Sequence, residues 1–171
     1  WRPAVSPGAI VPTYAPGLPL IMAAAATLGG AQAVFWVVPI AGACAVWLTW
    51  RLGTRLTDPG AAAAAAVLMA CSPVFLFQIV QPMSDVPVTA WWTGALLLVL
   101  ARRPALAGAC ASAAILTRPN LAPLAAWLAT GLLADWGPYR RTWAAKLQGA
   151  AAFAATTMPG VGIWLLLNRV W

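Results

Sequence analysis

The chain has 171 residues, of which 63% are hydrophobic and only 8% are charged. Soluble domains carry about 25% charged residues, so this composition excludes a soluble domain and indicates that lipid solvates much of the chain. The net charge is +7, with ten Lys and Arg against three acidic residues. In a soluble protein this balance would suggest a nucleic-acid partner, but here the cations lie in short clusters between apolar runs. That arrangement is typical of membrane topology, and we expect no nucleic-acid partner.

Few side chains in this sequence can do acid–base or metal chemistry. There is no His, which removes the commonest base and metal ligand. The three cysteines lie in apolar runs without a CxxC spacing, and we interpret them as packing residues rather than metal ligands: Cys44, Cys71 and Cys110. Any acid–base chemistry therefore falls to Asp58, Asp85 and Asp135. We predict no metal site and no required cofactor, although a divalent metal stays open.

The first residues predict a loop followed by a short helix on the membrane surface. Residues 1–16 are rich in proline and are expected to form an outer loop. Residues 17–30 form an apolar run that closes in Gly29-Gly30. A spanning helix needs about 20 apolar residues, and a shorter run is typical of an interfacial helix.

The rest of the chain predicts an all-α fold, a polytopic transmembrane helical bundle. The expected spans are about 31–50, 61–80, 84–101, 104–117, 121–134 and 149–167, with an interfacial helix at residues 139–147. Ser72-Pro73 should kink the second span. The chain starts with Trp1 rather than Met, and we expect residues 1–171 to be part of the transmembrane domain of a longer, multi-pass protein of the cell membrane.

The distribution of cations predicts an orientation. If the first span runs inward, the inner loops hold seven of the ten cations and the outer side holds three, in agreement with the positive-inside rule. The inner cations are Arg51, Arg55, Arg102, Arg103, Arg140, Arg141 and Lys146, and the outer ones are Arg2, Arg118 and Arg169.

Asp85 begins the third span on the outer side, and its role has two interpretations. The first is local: Ser84 caps the helix, Asp85 interacts favourably with the helix dipole, and Pro87 occupies a position that needs no N–H. The second is functional, because an ionisable residue near the membrane often faces an enclosed site. Asp58 and Asp135 lie beside arginines or helix ends, where we expect local roles.

Arg118 separates two apolar runs of 14 residues, and it also has two interpretations. It either extends to the lipid headgroups or binds a phosphate bidentately. Pro119 breaks the helix beside it and leaves backbone groups that need a partner, which favours a protein-lined or water-filled cavity. Asp85 and Arg118 share the outer side, as a structural ion pair or as parts of one anion site.

Several short motifs, taken in order, resemble a known superfamily. The chain resembles the bacterial membrane glycosyltransferases of the GT-C superfamily, whose relatives include protein O-mannosyltransferases and aminoarabinose transferases. The motifs are the Tyr-x-Pro-Gly-x-Pro turn at 14–19, Ser-Pro-x-Phe at 72–75, Ser-Asp-Val-Pro at 84–87 and Leu-Thr-Arg-Pro-Asn at 116–120.

This resemblance implies an inverting transfer of a sugar from a polyprenyl-phosphate donor to an acceptor hydroxyl on the outer face of the membrane. It places the main catalytic base, an Asp, upstream of Trp1 and makes Asp85 an auxiliary acid. It implies that Arg118 or Arg169 stabilises the leaving phosphate. The predicted substrate-binding residues are Arg118, Asn120, Tyr14 and Arg169.

The competing interpretation is a multi-span transporter or a non-enzymatic membrane subunit. Broken helices and intramembrane charges also mark transporters. The sequence shows no clear internal repeat, and this weakens the transporter interpretation. The expected partners of the enzyme are the lipid bilayer, the polyprenyl-phosphate sugar and an acceptor that the sequence does not specify.

Overall fold

All regular secondary structure is helical in residues 15–134, 136 and 142–170, which the computed structural model describes. The expectation of an all-α chain is confirmed. The eight α-helices are α1 (Gly17–Gly29), α2 (Val37–Leu56), α3 (Pro59–Ala70), α4 (Pro73–Ile79), α5 (Asp85–Leu100), α6 (Pro104–Thr117), α7 (Pro123–Leu133) and α8 (Trp143–Val170). Two 3₁₀ helices lie at Ala31–Trp36 and Pro119–Leu121, and the first continues directly into α2.

Proline sets many of the helix starts. Proline stands at the first position of four α-helices, where its missing N–H has no intrahelical partner to lose and its φ already suits a helix: Pro59, Pro73, Pro104 and Pro123. These prolines also prevent the preceding helix from continuing, which is why the apolar sequence divides into short pieces.

Two of the helices in the described residues are long and apolar enough to cross a membrane. They are Ala31–Leu56, with 26 residues, and Trp143–Leu167, with 25 residues. Helices α3 and α4 form a third candidate, but they are bent by 60° at a short break. The kink expected at Ser72-Pro73 is thus present as a sharp break after Ala70.

The other apolar runs form shorter helices. Helix α5 has 16 residues and α6 has 14, which corresponds to about 24 Å and about 21 Å, against a hydrocarbon core of about 30 Å. Each expected span contains a helix, but the expected number of six spans stays a prediction. The surface helix expected at residues 17–30 is present as α1, and its position relative to a bilayer also stays a prediction.

One expected boundary is wrong. A separate interfacial helix at 139–147 and a span beginning at 149 were expected, but α8 runs without a break from Trp143. Its first turn is already closed, since the Lys146 N–H donates to the Thr142 carbonyl oxygen over 3.1 Å. The physical reason is that Ala144, Ala145 and Lys146 are strong helix formers and no proline interrupts them. Residues 139–141 lie outside the described residues.

Close contacts fix the direction in which each helix runs. In α2, Gly42 faces Ile79 and Val86, while Leu48 lies beside Gly94, so α2 and α5 are parallel. Helix α6 returns antiparallel to α5, since Gly94 also lies near Cys110. Helix α8 runs parallel to α6, because Gly108 faces Phe153 while Ser112, later in α6, faces Gly160, later in α8. The starts of α2 and α5 therefore share one end of the bundle with the ends of α6 and α8, here termed the Arg118 end. The opposite end is termed the Arg51 end.

The core lies where α5, α6, α7 and α8 meet. Its buried residues are mostly small or aliphatic: Ala95, Val99, Ala107, Ala111, Leu128, Leu132 and Phe153. Helices α6 and α8 approach most closely where glycines face backbone atoms. A side chain at Gly108 would overlap the Phe153 carbonyl group, and a Cβ at Gly160 would lie 2.5 Å from the Ser112 carbonyl oxygen. Small residues of this kind allow dense packing in lipid, where helix association depends on van der Waals contact.

Candidate functional site

Asp85 is the first residue of α5, where the positive end of the helix dipole favours a carboxylate. Its carbonyl oxygen accepts a hydrogen bond of 2.7 Å from the Thr89 hydroxyl. The expected cap by Ser84 is wrong, because the Ser84 side chain makes no capping hydrogen bond. Ser84 has φ −76° and ψ −11°, whereas a capping serine requires the extended region to direct its oxygen at the helix N–H groups. Pro87 is buried two residues further along α5.

Arg118 follows the last residue of α6 in an extended conformation, with φ −152° and ψ 88°. Pro119 causes this, because a residue before proline is disfavoured in the helical region. The Arg118 N–H still closes the helix by donating to the Ala114 carbonyl oxygen over 2.8 Å. The backbone is thus anchored by α6 while the side chain leaves the helix axis and reaches towards α5.

The two side chains meet, which confirms that Asp85 and Arg118 lie at the same end of the bundle. The Nη1 atom of Arg118 forms an ion pair with Oδ1 of Asp85. The side chains keep 39% and 40% of their exposure, so the pair is accessible from one side. The contact uses one guanidinium nitrogen, and a guanidinium carries five N–H donors. Donors therefore remain with which Arg118 could bind an anion.

Helix α1 packs directly beside this pair. A Cβ at Gly17 would lie 2.5 Å from the backbone nitrogen of Thr117, so only glycine allows α1 to rest on the end of α6. Leu18 is buried in a small cluster with Val38 of α2 and Val86 of α5. This contact could not be predicted from the sequence. The Pro16-Gly17 turn is the sequence feature closest to this contact. It indicates where α1 begins but not which helix α1 packs against.

An apolar groove of about 490 Å³ runs between α1, α2 and α5. Its walls include Ile21 of α1, Trp47 of α2 and the face of α5 from Pro87 to Leu98. These eleven helical steps correspond to about 16 Å. Pro87 follows Asp85 by two residues, about 3 Å along the axis of α5 and about 200° around it, so this end of the groove lies at the level of the ion pair but on another face of α5. The groove cannot be found from local sequence, because its walls come from helices that are distant along the chain.

The remaining predicted site residues are not part of the ion pair. Asn120 is exposed in the 3₁₀ turn that follows Arg118, two residues from it. Arg169 is exposed in the last turn of α8, at the same end of the bundle. Tyr14 lies outside the described residues, as does Asp135. Within the part of the chain that the structure describes, no group of three His, Cys, Asp or Glu side chains could hold a metal ion.

Asp58 has the local role that the sequence suggested. It is the N-cap of α3, and its Oδ1 accepts hydrogen bonds from the N–H groups of Gly60 and Ala61 over 2.9 Å and 3.0 Å. These two bonds, first that from Ala61, hold the pKa of Asp58 below its usual value. Both bonds go to Oδ1, and the carboxylate lies at the Arg51 end, opposite to the end that holds Asp85.

No family model, curated protein or solved structure matches the chain.

Proposed function

We propose that the chain belongs to a membrane glycosyltransferase that moves a sugar from a polyprenyl-phosphate donor to an acceptor hydroxyl on the outer face of the membrane. The observation that carries this proposal is that the Asp85–Arg118 pair lies at the same end of α5 as the Pro87 end of the apolar groove. A lipid-linked phosphate needs both features: a cation for the phosphate and an apolar surface for the first part of its tail. The sequence resemblance supports the same substrate class.

Arg118 would act on the leaving group. In the transfer, the acceptor oxygen bonds to the anomeric carbon while the bond from that carbon to the phosphate oxygen breaks. Negative charge then develops on the phosphate, and a preorganised guanidinium stabilises it. The extended backbone before Pro119 holds Arg118 at the end of α6 before the donor arrives, which lowers the cost of ordering this side chain.

Asp85 would position Arg118 and orient the acceptor or a divalent cation. Its carboxylate already contacts the guanidinium, so a donor phosphate would share Arg118 with it. The acceptor hydroxyl must lose a proton to a base as it attacks. The resemblance places that base upstream of Trp1, and Asp85 is proposed as an auxiliary acid. Asn120 and Arg169, at the same end, are candidates for further donor contacts.

The test is sugar transfer in membranes that contain the full-length protein, with a panel of polyprenyl-phosphate sugars as donors. We would compare wild type with Asp85→Asn, Arg118→Ala and the exchanged pair Asp85→Arg/Arg118→Asp. Arg55→Gln is the matched control, because it removes one exposed cation at the opposite end of the bundle. Membrane insertion and protein level are measured for every variant.

We expect Arg118→Ala to lower the transfer rate by about 10²- to 10³-fold, the usual effect of removing one transition-state donor. The exchanged pair restores an ion pair with the opposite polarity. We expect it to fold but to stay inactive, since a carboxylate at position 118 repels phosphate. Recovery of activity by the exchanged pair would show that the two residues serve only structure. Absence of transfer from every donor by wild type would refute the proposed enzyme.

A transporter is the second candidate, and the broken helices favour it specifically. The 60° bend between α3 and α4, and the interruption of helix between α6 and α7 at Arg118, are features that transporters use to expose backbone groups to a substrate. Uptake of labelled organic anions into vesicles that contain the full-length protein would distinguish the two functions. Uptake that depends on Arg118, together with no sugar transfer, would support the transporter.

A further inference from the structure

The Arg51 end of the bundle concentrates positive charge. The ends of α2 and α5 and the start of α8 bring five described cations to this end: Arg51, Arg55, Arg102, Arg103 and Lys146. The described carboxylate at this end is Asp58, which accepts hydrogen bonds from two N–H groups of its own helix. The charge at this end therefore suits an anionic partner.

Arg51 links this charge to the apolar groove. Its guanidinium carbon lies 5.7 Å from the centre of the Trp47 ring, within the range of a cation–π contact. Trp47 is itself part of the groove wall, together with Leu97 and Leu98. Arg51 and Trp47 are both exposed, at the end of the groove opposite to Asp85. The apolar groove, the Trp47 indole and the Arg51 guanidinium therefore lie next to one another in this order.

We propose that this end of the groove binds an anionic phospholipid, with its phosphate on Arg51 and an acyl chain in the groove beside Trp47. A guanidinium binds phosphate bidentately, and an indole is favoured at the level of the lipid headgroups. The walls of the groove are apolar along its length, so an acyl chain would leave no polar group without a partner there. This lipid differs from the proposed sugar donor, whose phosphate would lie at the Pro87 end. Because both tails would use the same groove, the two lipids would compete for it, and the inference stands without that donor.

The test measures lipid preference by native mass spectrometry of the full-length protein in detergent, mixed with equal amounts of phosphatidylglycerol and phosphatidylcholine. The variants are Arg51→Gln and Arg55→Gln. Both remove one exposed cation from α2 at the same end, but only Arg51 contacts a groove residue. A second pair, Gly94→Leu and Gly94→Ala, tests the groove. A Cβ at Gly94 would lie 3.6 Å from Leu48, so alanine fits and leucine fills the space.

We expect wild type to retain phosphatidylglycerol preferentially and Arg51→Gln to lower that preference about tenfold, as the loss of a charge-assisted bond implies. Arg55→Gln should have a smaller effect that disappears in about 1 M salt, where the Debye length falls to about 3 Å. Gly94→Leu should lower retention of both lipids, while Gly94→Ala should not.

Three results would overturn the proposal. Equal binding of the two lipids by wild type would exclude an anionic site. Equal effects of Arg51→Gln and Arg55→Gln would show that only the general charge of this end attracts lipid. Full retention by Gly94→Leu would place the acyl chain outside the groove. Each variant is first checked for helical content and a single oligomeric species. If Gly94→Leu does not fold, the comparison of Arg51→Gln with Arg55→Gln decides the proposal.

Discussion

Asp58 and Asp85 show how the same side chain serves either its own helix or a distant one. Asp58 precedes Pro59-Gly60 and caps the helix that these residues begin. Asp85 begins a helix without a serine cap and gives its carboxylate to Arg118, 33 positions later in the printed sequence. The first role could be predicted from the neighbouring residues. For the second role, the sequence predicted that Asp85 and Arg118 lie on the same side of the membrane. It could not predict their contact, because that depends on how α5 and α6 pack.

The lowered pKa of Asp58 predicts a pH-dependent contribution to stability. The ionised carboxylate is favoured in the folded protein, so its contribution is fully present above the ordinary aspartate pKa. It is lost as the pH falls through the lowered pKa of the folded state. We expect Asp58→Ala to unfold at a lower temperature than wild type at neutral pH. The difference should shrink towards zero in strong acid.

Asp58→Asn is the matched variant, since its amide oxygen can still accept from Gly60 and Ala61 without titrating. We expect its thermal midpoint at neutral pH to stay close to that of wild type. The measurement is the midpoint in detergent over a series of pH values for all three proteins. An unchanged pH dependence in Asp58→Asn would contradict this account of the cap.

At the scale of elements, α5 ends in a turn that places Arg102, a residue with a Cβ, in the left-handed region. The N–H of Arg103 donates to the Leu98 carbonyl oxygen over 2.9 Å, and that of Arg102 to Val99 over 3.0 Å. This pattern is a Schellman motif, and it requires Arg102 to adopt φ 58°. Glycine usually occupies such a position because a Cβ is disfavoured there.

We therefore expect Arg102→Gly to be more stable than Arg102→Ala by about 1 kcal/mol. Both variants remove the arginine side chain beyond Cβ together with its interactions, so their difference isolates the cost of a Cβ at this φ. Chemical denaturation in mixed micelles would measure it. Equal stability of the two variants would show that the turn changes its conformation once the arginine is gone.

The contact between α6 and α8 predicts a second difference between matched variants. A Cβ at Gly160 would lie 2.5 Å from the Ser112 carbonyl oxygen, while nothing lies within 4 Å of the corresponding position at Gly162. We expect Gly160→Ala to separate the helices and cost about 1–3 kcal/mol. Gly162→Ala, in the same helix, should stabilise by up to about 1 kcal/mol through helix propensity. Thermal unfolding of both variants checks this, and a stable Gly160→Ala would contradict the observed packing.

At the scale of the whole molecule, the sequence was most informative about where helices lie and stop. Apolar length and proline predicted the helical regions, including the break at Ser72-Pro73. They did not predict that α8 would start at Trp143, because the charges there suggested a separate surface helix. The groove and the docking of α1 on α6 could not be predicted, since both depend on contacts between segments that are distant in the sequence.

The direction of the helices predicts which loops share a side of the membrane. In a variant whose three cysteines are replaced by alanine, single cysteines at Met83 and Asn120 should react with an impermeant thiol reagent from one side. Single cysteines at Arg55 and Arg103 should react only from the other side. All four positions are exposed. Labelling of Asn120→Cys and Arg103→Cys from the same side would show that α6 does not cross the bilayer.

The 60° bend between α3 and α4 also has a consequence for the surrounding bilayer. Helix α3 has 12 residues and α4 has 7, and along the axis of α3 they rise together by only about 23 Å. If the pair crosses the membrane as one span, a hydrocarbon core of about 30 Å becomes thinner beside it, at a modest cost for each ångström. Because only five residues connect the end of α4 to Asp85, we expect the thinnest lipid next to the ion pair, where a water-borne acceptor would have the shortest distance to travel.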